Sequence, residues 1–217
     1  MNNLIEVREK RLYVEIHGPE NGLPLLYLHG GPGESFYEFM LHQSERLSTK
    51  VRLIAIDQRG VWRSDPIGED ESLSLQDLVD DCEGLREHLG IAQWDVLGHS
   101  FGGFLGLLYS TEHPQSVRRL IFEGPSFDFT LSFKSALRRT ASLFEENGEM
   151  DRAIECLRVV EGNGTPDEIL EDYLQLSHGL GDRRMRIYCP KEDANNYTED
   201  RYTEGERMSF TVARSYI

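Results

Sequence analysis

The sequence predicts an α/β fold, a mainly parallel sheet with helices on its faces, followed by a mostly helical segment. Short apolar runs that end at glycine-containing or acidic turns alternate with helical patterns in the first part of the chain. That alternation is typical of buried parallel strands joined by right-handed crossovers. After Pro125 the periodic segments are helical. We therefore expect a core domain over residues 1–125 and a helical subdomain over residues 126–217.

The strands of the core are predicted from their residue patterns and from the turns that end them. The first alternates in the manner of a half-buried strand, and the other four are short apolar runs. The predicted strands are 11–17, 25–28, 51–56, 94–97 and 117–122.

Helices are predicted where apolar residues recur at three- and four-residue spacings. The helix predicted over 75–89 begins with a capping box formed by Ser74 and Asp77, and Gly90 ends it. A second core helix is predicted over 101–113. In the second segment the predicted helices are 133–147, 151–161, 167–176 and 202–216.

Charge and cysteine content exclude several classes of partner and site. With 38 acidic against 23 basic residues the net charge is −15, which opposes binding to nucleic acid because that affinity depends on Lys and Arg. Cys82, Cys156 and Cys189 form no Cys-x-x-Cys pair, so we expect no disulfide framework, no metal site and a reducing, cytoplasmic location. No apolar run approaches the ~18 residues that span a bilayer, so we expect no membrane association.

A pentapeptide of the type Gly-x-Ser-x-Gly occupies residues 98–102, between a predicted strand and a predicted helix. Such a serine sits on a strained turn that exposes its hydroxyl, and the helix that follows favours developing negative charge. Small neighbours at Gly98 and Gly102 avoid clashes there. We predict that Ser100 is a catalytic nucleophile; the alternative is a structural turn.

A second glycine-rich loop, His29-Gly-Gly-Pro-Gly33, directly follows the strand predicted over 25–28. Acyl transfer needs two N–H donors beside the tetrahedral oxyanion, and a glycine-rich loop can bring backbone there. The N–H groups of Gly31 and Phe101 are the natural pair. His29 and Gly30 are candidates to contact substrate, with a structural role as the alternative for His29. No cofactor or metal is expected.

Three motifs together, His29-Gly-Gly-Pro-Gly33, Asp57-Gln-Arg-Gly60 with Ser64, and Gly98-His-Ser-Phe-Gly-Gly103, resemble the α/β-hydrolase superfamily and its prolyl aminopeptidase (proline iminopeptidase) branch. The resemblance implies Ser100 as nucleophile, Gly31 and Phe101 as oxyanion donors, and a helical cap after the strand near residue 122.

The sequence departs from that branch at several positions. Trp62 stands where the branch has a second glycine after the arginine, and Gly-His-Ser-Phe-Gly is closer to esterases and C–C hydrolases than the usual Gly-Gly-Ser-Trp-Gly. In the branch, glutamates of the cap bind the free amine of the substrate. Glu199, Glu204 and Glu206 are candidates by residue type, with a solvated helix face as the alternative.

A nucleophilic serine needs a base that a third group orients, and in this fold both follow the serine. After Ser100 the histidines are His113 and His178, and neither follows a predicted core strand. Glu123 and Asp128, just past the last predicted core strand, are candidates for the acid. We expect the chain to stop in or just after the cap, without its C-terminal core strands, the acid and the base, so that a separate C-terminal polypeptide would have to complete the fold.

Three functions remain open from the sequence. The first is a serine hydrolase of prolyl aminopeptidase type that removes an N-terminal residue, proline or similar, from short peptides or amides through an acyl-enzyme on Ser100. The second is an esterase, lactonase or C–C hydrolase of the same fold. The third is a truncated, inactive fragment or a binding protein.

Overall fold

The computed structural model describes residues 3–31, 33–68 and 70–188. These residues form two compact units, which divide between Ser126 and Phe127. The domain boundary predicted after residue 125 stays a prediction, because residues 189–217 of the second segment lie outside the described residues.

The first unit is a six-stranded sheet with three helices, and it confirms the predicted α/β class. Its elements are β1 (Leu4–Val7), β2 (Lys10–His17), β3 (Leu23–Leu28), α1 (Tyr37–Leu47), β4 (Val51–Ile56), α2 (Leu75–His88), β5 (Trp94–His99), α3 (Phe101–Glu112) and β6 (Val117–Glu123). The strand order is β1-β2-β4-β3-β5-β6. Strands β4, β3, β5 and β6 run parallel, whereas β1 and β2 pair antiparallel at one edge.

Strands β3, β4 and β5 form the core because most of their side chains are apolar, and many of these are buried. On one face, Tyr27 of β3 and Leu53 of β4 pack with Phe36 and Met40 at the start of α1. Helices α2 and α3 contribute buried residues of their own, among them Leu85 and Leu105. This arrangement holds the carboxyl ends of β3, β4 and β5 at a common edge, where ligands bind in open α/β sheets.

All five predicted strands are present, and in the first unit the structure adds strand β1 and helix α1. Strand β1 escapes sequence analysis because the turn that joins it to β2 uses Arg8 and Glu9, both at positive φ (48° and 66°). Tight hairpin turns with that backbone normally carry Asn or Gly, so no turn signal is present in the sequence. Helix α1 is absent from the prediction because Met40 is its one fully buried residue.

The second unit is helical, as predicted. It comprises α4 (Phe129–Glu146), α5 (Met150–Glu161), α6 (Pro166–His178) and a short 3-10 helix (Gly181–Ile187). Helix α4 starts four residues earlier than predicted because Asp128 caps it, accepting a hydrogen bond from Leu131 N–H at 2.8 Å. The helix predicted over 202–216 lies outside the described residues.

Two of the three cysteines belong to the described residues. Cys82 and Cys156 are buried free thiols, and burial raises the pKa of Cys156 to about 11. Cys189 lies outside the described residues. None of the helices described is both long enough and apolar enough to cross a membrane.

Candidate active site

Ser100 lies in the turn between β5 and α3 with a backbone conformation that L-residues rarely adopt. Its φ is 49° and its ψ is −116°. The turn is held from both sides, because Ser100 N–H donates to the carbonyl of Glu123 at 3.0 Å and its own carbonyl accepts from Gly103 N–H at 3.0 Å. The serine is half-buried. A strained serine between a strand and a helix is the geometry of the nucleophile turn of α/β-hydrolases.

The two glycines of the pentapeptide are required by close backbone approach. A Cβ on Gly98 would lie 2.3 Å from the carbonyl oxygen of Gly102, and a Cβ on Gly102 would lie 2.1 Å from the carbonyl oxygen of Leu28. The start of α3 is therefore pressed against the carboxyl end of β3. The predicted reason for small residues at these positions agrees with this packing.

The loop that follows β3 lies directly beside Ser100. A Cβ on Gly30 would be 3.2 Å from Ser100 Cβ, 2.9 Å from His99 Cδ2 and 3.2 Å from Glu34 Oε2. Gly31 has φ 109°, and a Cβ there would lie 2.6 Å from the backbone nitrogen of Gly33. The structure thus brings together the loop and the serine turn that the sequence assigns to one site.

The predicted oxyanion donors belong to these two segments. Phe101 is the first residue of α3, and N–H groups in the first turn of a helix point out of its N-terminal end. Gly31 lies in the tight loop beside the serine turn. Their roles as donors stay a prediction.

His29 is fully buried, and backbone groups occupy both of its ring nitrogens. Nε2 accepts from Gln58 N–H at 3.1 Å, so Nδ1 carries the proton and donates to Gly30 O at 2.9 Å. Burial lowers the pKa of His29, although Asp57 opposes the shift. The expected contact between His29 and substrate does not fit this geometry, because no ring nitrogen is left for it. His29 holds the loop in place.

The Asp-Gln-Arg-Gly motif that follows β4 begins with a buried aspartate that binds two neighbouring side chains. Asp57 is fully buried and accepts from Ser35 Oγ at 2.6 Å and from Arg63 Nε at 2.7 Å. The Arg63 guanidinium also packs over the rings of Tyr13 and Phe36, at 4.0 and 4.5 Å from their centroids. Sequence reasoning did not assign this role to Arg63.

Trp62 keeps the backbone conformation that a glycine at its position would allow. Its φ is 49°, in the left-handed region. A bulky side chain therefore stands at a position where the backbone is strained for any residue other than glycine.

Candidates for the triad acid and base lie in different surroundings. Glu123, at the end of β6, places its carboxylate 3.6 Å from His99 Nδ1, next to Ser100. Asp128 caps α4, which accounts for its position. His178 is the last residue of α6, in the second unit. Glu199, Glu204 and Glu206 lie outside the described residues.

One carboxylate beside Ser100 was missed by sequence reasoning. Glu34 directly follows the glycine loop, and its Oε2 belongs to the group of atoms around Gly30. Burial of the carboxyl group raises its pKa, an effect that nearby His99 opposes. Its position directly after a loop assigned to the site was the available signal.

A possible metal-ligand group lies elsewhere in the first unit. Ligand atoms of Asp80, Glu112 and His113 lie within 4.8 Å of one another. Gln76 already donates to both carboxylates, at 2.8 and 2.6 Å, and Arg8 pairs with Asp80 at 3.1 Å. These contacts account for the cluster as part of the contact between α2 and α3.

Comparisons with known proteins agree with the geometry. A family model for the α/β hydrolase fold matches residues 24–154. Over 116 residues the chain is 40% identical to a proline iminopeptidase of Xylella fastidiosa, which covers 52% of this chain and 36% of that protein. The match therefore spans about a third of the length of that curated relative.

Two solved structures share the fold. An epoxide hydrolase from Vigna radiata matches with a TM-score of 0.51 and 28% identity, over 55% of this chain and 36% of that chain. A proline iminopeptidase-related protein from Thermus thermophilus matches with a TM-score of 0.56 and 23% identity, over 98% and 83%. Since the family model covers more than half of the sequence, this chain belongs to the α/β-hydrolase fold family.

Proposed function

We propose that this chain carries the nucleophile and oxyanion loop of a serine hydrolase of proline iminopeptidase type. The observation that carries the proposal is the strained backbone of Ser100 beside the Gly30 loop. The similarity to curated proline iminopeptidases supports a substrate with a free N-terminal residue, proline or a similar one.

In the proposed reaction, Ser100 Oγ attacks the acyl carbon while a base takes its proton. The N–H groups of Gly31 and Phe101 stabilise the oxyanion, the C–N bond then breaks, and the proton passes to the leaving amine. Water hydrolyses the resulting ester by the same steps. The preformed position of the loop supplies the electrostatic part of catalysis.

The base is the part of the triad to be identified. His99 lies beside Ser100 with Glu123 near its Nδ1, and His178 belongs to the second unit.

Labelling by a fluorophosphonate probe tests the nucleophile. We expect covalent labelling of the chain and its loss in Ser100→Ala, located by peptide mass spectrometry. Labelling that persists in Ser100→Ala, or no labelling of the parent chain, would contradict the proposal. His99→Gln and His178→Gln then show which ring, if either, activates the serine.

A second candidate is an esterase or lactonase with the same nucleophile. The residues on either side of Ser100, His99 and Phe101, favour it because they depart from the pattern of proline iminopeptidases. Aminoacyl arylamides tested against p-nitrophenyl esters separate the two functions. Turnover of the esters alone would exclude the peptidase function.

A further inference from the structure

The carboxylate of Glu34 is a charged group in the candidate site that the proposed reaction does not use. A Cβ on Gly30 would be 3.2 Å both from Glu34 Oε2 and from Ser100 Cβ. The carboxylate and the serine side chain are thus separated by at most the sum of those two distances. The residue as a whole is exposed, whereas its carboxyl group is enclosed closely enough by its neighbours that burial raises its pKa.

Within the described residues, Glu34 lacks the partners that the other acidic groups of this region have. Asp57 is bound by Ser35 and Arg63, whereas no hydrogen bond or ion pair joins Glu34 to any described side chain. Arg63 is committed to Asp57, which leaves His99 as the neighbour that could carry positive charge. Because burial raises the pKa of this carboxyl group, a cation placed against it would relieve an unfavourable desolvation.

The distance from Glu34 to Ser100 matches the chemistry of an N-terminal residue. In such a substrate the amine nitrogen lies two bonds from the attacked carbonyl carbon, about 2.5 Å away from standard bond lengths. The reacting oxygen approaches that carbon to about 3–3.5 Å, and a charge-assisted N–H···O bond adds about 2.8 Å. A substrate poised at Ser100 therefore carries its amine within reach of Glu34.

We propose that Glu34 is the specificity-determining residue that binds the free primary or secondary ammonium group of the substrate, next to the acyl carbon that Ser100 attacks. The proposal rests on the proposed function, since it assigns the recognition of the N-terminus to the loop after β3. It places that recognition on a residue of the core, in the same loop as the oxyanion donor.

Binding without turnover tests the proposal directly. In the full chain carrying Ser100→Ala, the affinities of L-prolinamide and N-acetyl-L-prolinamide are measured by NMR titration. The two ligands differ at the amine, which is cationic in the first and neutral in the second. We expect L-prolinamide to bind about tenfold more tightly or better, the size of one charge-assisted hydrogen bond.

Two variants assign that preference to its residue. Glu34→Gln, which removes no hydrogen bond or ion pair seen among the described residues, should abolish the preference, and Glu34→Asp should retain part of it. Glu45→Gln on α1 removes the same charge from an exposed position and should leave the preference unchanged. Thermal unfolding of each variant shows that it is folded.

Three results would overturn the proposal: equal affinity for the two amides, no binding of either, or a preference that survives Glu34→Gln. A parallel turnover assay on the chain with Ser100 intact tests the proposed function separately. Equal loss of ester and aminoacyl arylamide turnover in Glu34→Gln would assign Glu34 to proton transfer and would also contradict amine binding.

Discussion

Strand β5, which leads to Ser100, has parallel neighbours on both sides, yet those neighbours differ in burial. On one side, Leu26 and Leu28 of β3 are fully buried; on the other, Ile121 and Phe122 of β6 are each 44% exposed. The two strands make the same type of ladder with β5. Apolar packing therefore fixes β3, the strand that leads to the glycine loop. Strand β6, on the other side of Ser100, has less apolar support.

Polar contacts hold β6 where apolar burial does not. Glu83 of α2 accepts from Tyr109 of α3 at 2.7 Å, from Ser116 at 3.0 Å and from Arg86 at 2.6 Å. Ser116 directly precedes β6, so this carboxylate ties the start of the strand to two helices. The hydroxyl of Tyr109 also accepts from Trp94 Nε1 at 3.2 Å.

The largest effect is expected where α3 meets β3. Gly102→Ala forces a Cβ against backbone, and we expect it to lower the free energy of unfolding by about 4 kcal/mol or to prevent folding. Gly106→Ala in the same helix is the matched control, because the nearest atom is the Leu120 side-chain end at 2.9 Å. In urea unfolding, Gly106→Ala should leave the free energy of unfolding nearly unchanged. Equal effects of the two substitutions would contradict the difference in support between the β3 and β6 sides.

The second largest loss of stability is expected from truncating a buried side chain of β3. Leu26→Ala removes a fully buried side chain and should lower the free energy of unfolding by about 3 kcal/mol. Chemical denaturation monitored by the fluorescence of Trp94, which is buried in β5, reports this loss. A loss below about 1 kcal/mol would mean that the two sides of β5 are equally supported.

Glu83 should make the anchoring of β6 dependent on pH. Burial alone would raise the pKa of Glu83, but hydrogen bonds from Arg86, Tyr109 and Ser116 outweigh it and lower the pKa to about 2. A carboxyl group with a lowered folded-state pKa stabilises the protein above its unfolded value, near 4.5, and this contribution is lost as the pH falls towards 2.

Replacing the Glu83 carboxylate tests both its anchoring of β6 and the pH dependence of that anchoring. Glu83→Gln should cost about 2 kcal/mol at neutral pH, and its stability should fall less steeply than that of the parent between pH 4.5 and 2. Thermal unfolding across this pH range is the measurement. Parallel stability curves for the two proteins would show that Glu83 does not anchor β6.

The smallest effect is expected on the exposed side of β6. Ile121→Ala removes a side chain that is 44% exposed and should change the free energy of unfolding by less than about 1 kcal/mol. Measured beside Leu26→Ala, this substitution gives the comparison of the two strands directly. A loss as large as that of Leu26→Ala would reveal burial of β6 by another part of the protein.

The sequence predicts those parts of the site that local backbone geometry dictates. Gly98, Gly102 and the glycine loop are recognisable because close approach and positive φ leave few alternatives to glycine. Strands β2 to β6 follow in the same way from short apolar runs between turns.

Residues whose roles depend on distant partners could not be predicted. In the sequence, Glu83 looks like an ordinary charged residue on a helix face. Its role depends on Tyr109 and Ser116, which are 26 and 33 residues away along the chain. Arg63 acquires its role in the same way, from Asp57, Tyr13 and Phe36, which the fold places around it. The tautomer of His29 is likewise decided by Gln58 N–H, which belongs to the next loop.

The backbone conformation of Ser100 carries a cost in stability. A connection between β5 and α3 that served the fold alone would be more stable with glycine, the residue that tolerates φ near 49°. Serine at this position keeps the turn in a conformation that costs about 1–3 kcal/mol. The fold gains nothing from that strain, so serine is explained at this position by its hydroxyl group. The chain is therefore less stable than the same architecture with glycine at residue 100 would be.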